Sequence, residues 1–308
     1  MSREAKPHYE KWFFRKLYTP PVFELMARLS GVFGRRFCRW VGRTISWGYG
    51  VTQGGVREVV RENLELLTDR PVTREDAVGV FEEFGETIAD FVRLGVMDPN
   101  GAEDLCPERV GFEHLEEALA HGKGAILATG HFGFFEFGAL MLGHLGLPIT
   151  VVTLSEHVPA LTEWRRKFRQ KWGAETIEIG PDAFSSLRVV RVLEEGGLAA
   201  MLVDRPHDHA MEVDVPNGKV SFSMSPALLA YLGDCPVVPV AISRRPDGLY
   251  RMVSKPCVWP RRLGGDREAC VRAATVEIAR ELIEEFSRAP RQWYHFVPVG
   301  AGERQRSV

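Results

Sequence analysis

The spacing of apolar positions changes near residue 110, and the change divides the chain in two. Upstream the spacing is helical: Val22, Leu25, Met26, Leu29 and Phe33 follow i, i+3, i+4, i+7, and Phe37, Trp40 and Val41 continue a face of that kind. At about 100° per residue, Arg36, Arg39 and Arg43 fall together on a stripe beside that face. Arg61 to Leu67 predicts a short helix. Thr73 with Asp76 predicts a capping box that opens the helix holding Val78, Phe81, Phe84, Ile88 and Phe91. The segment VMDPNGAEDLCPERVG has the composition of a connection.

Downstream, short apolar runs alternate with amphipathic stretches. Ala125 to Ala128, Ile149 to Thr153, Thr176 to Ile179, Leu198 to Val203 and Val237 to Ile242 predict strands, and 113–121, 133–145, 159–172, 182–195 and 225–232 predict the helices between them. A last helix spans roughly Asp266 to Arg288, before the tail PRQWYHFVPVG. Such alternation predicts an α/β fold, a largely parallel central sheet flanked by helices, preceded by an N-terminal helical segment. The organisation expected is a helical segment over 1–100 packed on an α/β core over 101–308, together one structural domain.

Composition narrows the function classes. With 308 residues, 45% apolar and a net charge of -2, the chain is neither disordered nor a dedicated nucleic-acid binder. The average conceals an asymmetry, since residues 1–46 carry ten Lys or Arg against three acids, +7, which leaves -9 for the remainder. Together with Trp12, Phe13, Phe33, Phe37 and Trp40, that charge predicts docking on an anionic membrane surface. No run of about 18 uncharged apolar residues is long enough to span a bilayer, and MSREAKPHYEKW does not have the form of a secretion signal. The location expected is the cytoplasmic face of the cell membrane, peripheral. Five single cysteines suggest neither a disulfide framework nor a zinc knuckle.

Chemistry concentrates in GAILATGHFGFFEFGALML, where Thr129, Gly130 and His131 follow a strand directly and a helix with Glu136 comes next. Open α/β sheets place their sites outside the carboxyl ends of strands. Residues five apart in a helix point about 140° apart, so His131 could meet Glu136 only from a turn before the helix, which Gly130 and Gly133 would permit. On spacing alone two readings stand equal: an imidazole held by the carboxylate as a general base, or a buried histidine satisfied by a carbonyl with Glu136 as a solvated charge.

The same stretch resembles the HxxxxD/E motif of the lysophospholipid acyltransferase-like superfamily, in its branch of lipid A lauroyl and myristoyl acyltransferases and phosphatidylinositol mannoside acyltransferases. The lead-in GFEHLEEALAHGKGAILATGH, the upstream VRENLELL, the stretch from VDRPHDH to VVPVAISRRPDG and the closing PRQWYHF are similar as well. The resemblance implies catalytic His131 oriented by Glu136, and direct attack of a lipid or glycolipid hydroxyl on an acyl-CoA or acyl-carrier-protein thioester, with no further cofactor and no metal. It also implies an assisting acid, matched by Glu212, and a motif arginine, matched by Arg169 with Arg165 or Arg166 as alternatives. The Asn-Trp common before the branch's acid is Phe134-Phe135 here, and the His-Arg-Arg run after Trp293 is missing. A catalytically silent lipid-binding protein of the same fold is the alternative.

Other residues carry less. His207 and His209 with Asp204 and Asp208 have metal-ligand types, but alternate positions in a loop favour solvent. Ser221, Ser223 and Ser225 lack a nucleophile elbow. Asp204 and Arg205 suggest an ion pair at a strand end, with a part in the site as the other reading. Phe132, Phe134 and Phe135 suit either core or an acyl pocket.

Overall fold

The computed structural model describes residues 19–154, 159–180, 183–206 and 210–300. Trp12, Phe13, His207, Asp208 and His209 lie outside them. Three helices come first: α1 (Pro20–Thr52), α2 (Gly54–Glu65) and α3 (Arg74–Arg93). The layer follows as β1 (Glu108–Val110), α4 (Phe112–Ala120), β2 (Ala125–Thr129), α5 (Phe135–His144), β3 (Ile149–Leu154), α6 (Pro159–Lys171), β4 (Glu175–Ile179), α7 (Ala183–Glu194) and β5 (Leu198–Leu202). A hairpin, β6 (Ala210–Val215) and β7 (Gly218–Ser223), leads to α8 (Ser225–Gly233), β8 (Val237–Arg244), β9 (Tyr250–Ser254) and α9 (Arg267–Arg288). The main sheet has seven strands in the order β1-β9-β8-β2-β5-β3-β4, and every neighbouring pair is parallel except β8 with β9.

This is the expected α/β architecture. The apolar runs form the central strands because they are buried on both faces: Ala125, Ile126 and Ala128 of β2 have no exposed surface and divide between two layers of helices. Strands β1 and β9 and the β6–β7 hairpin were not among the expected elements. Val213 and Val215 alternate with exposed Glu212 and Asp214, so only one face of β6 carries an apolar signal.

The N-terminal helices join the layer through charge. Thr73 and Asp76 make the capping box at the start of α3, and Arg70 and Arg291 both clasp the Asp76 carboxylate, holding it well below the usual carboxylate range. Along α3, Glu82, Glu86 and Asp90 meet Arg43 (2.8 Å), Arg39 and Arg35 (2.7 Å) of α1. Arg244 of β8 reaches Glu83 and Glu86, and Tyr250 of β9 donates to Asp90 at 2.7 Å. Arg39 and Arg43, expected on a basic stripe with Arg36, therefore pair with acids of α3, Arg39 largely buried and Arg43 at the surface. Arg36 is exposed, with no ion pair among the described residues.

Gly34 interrupts α1 with non-helical φ 76 and ψ 163. A regular helix would have turned the inward face of Arg35, Arg39, Gly42 and Ser46 about 120° away from that of Phe23, Ala27 and Ser30. The kink removes that rotation, so both halves keep a face on the protein. Gly42 and Gly85 let α1 and α3 touch through backbone: a Cβ at Gly85 would lie 2.3 Å from the Gly42 carbonyl oxygen.

Candidate active site

Strand register brings the central groups together. Parallel pairing sets Thr129 of β2 opposite Leu202 of β5, and two residues further on the same register sets His131 opposite Asp204. His131 Nδ1 lies 2.7 Å from Asp204 Oδ1, and the His131 amide donates to Oδ2 at 2.8 Å. A Cβ on Gly130 would fall 2.6 Å from Asp204 Oδ2 and 2.4 Å from Phe286 Cζ, so only glycine permits this approach. Gly133, at φ 51, bends the chain into α5 with its Cα against the Ile242 carbonyl oxygen, which a Cβ would meet at 1.9 Å.

The closing segment completes the cluster. Gly133 donates to the Gln292 carbonyl and Tyr294 to the His131 carbonyl, a bridge that lays residues 292–295 beside the His131 turn. Trp293 Nε1 donates to Asp204 Oδ2 at 2.9 Å, and His295 Nε2 stands 2.8 Å from the same oxygen. Asp204 is completely buried, which alone would favour its neutral form, but His295 and His131 outweigh burial and hold it ionised. An ionised carboxylate has no proton to give, so both ring nitrogens donate to it. His131 therefore carries its proton on Nδ1. Burial pushes its pKa down to about 4, further than Asp204 raises it. The ring is then neutral at physiological pH, and Nε2, a lone-pair acceptor, has no hydrogen-bond partner among the described residues.

Glu136 has different partners. It lies in the first turn of α5, where Arg165 (3.0 Å) and Arg169 (2.7 Å) of α6 take its oxygens. The orientation of His131 by Glu136 that the resemblance implied is therefore not a direct contact; Asp204 holds Nδ1 instead. Glu136 belongs to the helix after the Gly133 turn and points toward α6, whereas register has already given Nδ1 to Asp204. Burial alone would raise the Glu136 pKa, but Arg169 and Arg165 lower it and hold the carboxylate ionised.

The remaining candidates separate. Arg169 is buried against Glu136, so it is not free to bind a phosphate, and Arg166 pairs with Glu163 on the surface. Arg205 is exposed and forms no ion pair with Asp204, whose oxygens are already engaged, though its charge helps keep His131 neutral. Glu212 is exposed on β6 opposite Ser221, with no hydrogen bond or ion pair among the described residues. Phe132 packs on Phe286 and Phe134 on Phe137 and Tyr250, all buried core, which removes these two from an acyl pocket. Phe135 is half-buried with its ring 5.5 Å from that of His131. Sequence reasoning gave no role to His295 or Trp293. Their one signal was a histidine and a tryptophan in the apolar closing segment.

His131, Asp204 and His295 are metal-binding types with ligand atoms within 4.8 Å of one another. Three N–H groups already point at Asp204 Oδ2, and N–H donors fit a hydrogen-bonded carboxylate rather than a cation.

A neutral imidazole clamped by a buried carboxylate at the end of a parallel strand is an arrangement for taking a proton from a hydroxyl. The family model for the bacterial lipid A biosynthesis acyltransferases matches residues 22–298, from α1 through the closing segment. The chain belongs to that family. No curated protein matches the chain beyond this. The lipid A acyltransferase family transfers acyl groups to a lipid acceptor, and the chain is an acyltransferase in this sense. Among the described residues no helix is long and apolar enough to cross a membrane.

Proposed function

We propose that this acyltransferase moves a fatty acyl group from acyl-CoA or acyl-carrier protein to a hydroxyl of a lipid or glycolipid, with His131 as general base and Asp204 as the carboxylate that orients it. The observation that carries the reading is the pair of unlike nitrogens on one ring: Nδ1 is locked to Asp204, and Nε2 has no hydrogen-bond partner among the described residues. The acceptor hydroxyl gives its proton to Nε2 while its oxygen attacks the thioester carbonyl. Collapse of the tetrahedral intermediate breaks the carbon–sulfur bond, and the thiolate takes the proton back from Nε2. The imidazolium that forms between these steps is favoured by Asp204 at 2.7 Å, while Glu136, held by Arg165 and Arg169, ties the start of α5, the helix after the His131 turn, to α6.

The enzyme works at the cytoplasmic face of the cell membrane as a peripheral protein, a location supported by the family's lipid acceptor. The catalytically silent alternative is disfavoured by the intact His131–Asp204–His295 cluster, since a protein that only binds lipid has no use for a buried ion cluster of this kind. The test is release of free thiol from a panel of acyl-CoA species mixed with a lipid extract. Release that disappears in His131→Ala supports the reading, and replacing CoA with acyl-carrier protein names the donor. Thiol release undiminished without the imidazole would overturn it.

A further inference from the structure

A surface helix normally turns its apolar stripe inward. The first half of α1 turns most of its stripe outward, with only Met26 of it packed against the core. At about 100° per residue, the stripe of Val22, Leu25, Met26, Leu29 and Phe33 is centred roughly 110° from the direction in which Phe23, Ala27 and Ser30 are buried. Val32 is 78% exposed, and beyond the Gly34 kink Phe37 and Trp40 remain 46% and 61% exposed. Leu25, Leu29 and Trp47 extend the same outward surface, and the rings of Phe33, Phe37 and Trp40 stand 5.1 and 5.9 Å apart in sequence along it.

We propose that this outward stripe of α1 inserts into the headgroup and acyl boundary of a lipid bilayer, and that apolar burial rather than attraction to anionic lipid supplies its binding. The inference rests on the reading of the enzyme as one that acts on a membrane lipid. A lipid bilayer is the occupant because the family's acceptor is a lipid while no described helix can span, so a surface element must reach it. An amphipathic helix lying in the interface places its apolar face about 5–10 Å into that boundary. Charge also points this way. Of the arginines expected to draw anionic headgroups, Arg39 and Arg43 are engaged by Glu86 and Glu82, as their neighbour Arg35 is by Asp90, so most of that charge is already paired within the protein. Arg28 and Arg36 stay exposed beside the stripe, without ion pairs among the described residues, and can extend to headgroup level of any lipid.

The test is flotation of the full chain with phosphatidylcholine vesicles, and with an equal mixture of phosphatidylcholine and phosphatidylglycerol, at low and at high salt. Expected is binding to phosphatidylcholine alone that persists in high salt. The combined variant Val32→Ser, Phe37→Ser, Trp40→Ser should lower vesicle partitioning by roughly a hundredfold, because three large apolar groups no longer leave water. These side chains are already exposed, so its melting temperature and its turnover of a detergent-dispersed acceptor should stay at the wild-type level. Binding that requires phosphatidylglycerol and vanishes in salt would overturn the proposal, as would a variant that floats like the wild type. A wild-type dimer without lipid that the variant converts to monomer would assign the stripe to a second copy of the chain instead. Flotation needs no turnover, so loss of the acyl-transfer reading and loss of the docking surface give separate results.

Discussion

Replacing Asp204 by Asn separates orientation from mere contact, because the two side chains share a shape. Asp204 Oδ2 accepts from the His131 amide (2.8 Å), Trp293 Nε1 (2.9 Å) and His295 Nε2 (2.8 Å), and Oδ1 accepts from His131 Nδ1 (2.7 Å). An asparagine can satisfy three donors only by placing its carbonyl oxygen where Oδ2 was. Its NH2 then faces His131 Nδ1, and two donors cannot share a hydrogen bond. The imidazole must move its proton to Nε2, which removes the lone pair that would accept from the acceptor hydroxyl. The rate should fall by about four orders of magnitude, equivalent to roughly 5 kcal/mol of barrier, as expected when a base is held in the wrong tautomer. The fold should survive with a lower melting temperature, since four contacts persist as neutral rather than charge-assisted hydrogen bonds. Thiol release from acyl-CoA with a lipid extract measures the rate, and circular dichroism checks the fold. Glu136→Gln is the comparison: it weakens the contacts to Arg165 and Arg169 without touching Nδ1, so its loss should be smaller. If folded Asp204→Asn keeps more than about a tenth of the rate, a drop too small for loss of a positioned base, the orienting role assigned to Asp204 is wrong.

Four further outcomes follow from the structure. The active ring is neutral and burial has pushed its pKa from 6.5 to about 4, so kcat/KM should rise with pH through an acid limb near 4 rather than near 6.5. Between those values the unfolded chain binds the proton and the native ring does not, so stability should decline as pH falls through that window, which urea melts at several pH values would detect. Gly133→Ala should cost about 3 kcal/mol or more and abolish turnover, whereas Gly146→Ala, also at positive φ but facing open space, should cost only about 1 kcal/mol in thermal melts. Asp76→Ala should lower stability by about 2 kcal/mol in chemical denaturation, since the capping box and both arginine contacts go together; no change would show that the cap is solvated in both states.

The sequence by itself determined the layer. Strands β2, β3, β4, β5 and β8 and the helices between them fell within a few residues of their observed bounds, because an apolar run buried on both faces and an amphipathic helix write their periods directly into the chain. It also determined the cap at Thr73 and the turn after β2 with glycines on both sides of His131. Local rules could reach these because each depends on residues a few positions apart. The partner of His131 was decided elsewhere. Asp204 is 73 residues away, delivered by parallel register between β2 and β5, while Glu136, five residues away, is drawn to two arginines of α6. The direction of the α1 stripe was decided by tertiary structure too. Amphipathic period locates an apolar face but not what covers it, and the acids of α3 bound the arginine side of α1 and left the apolar side outward.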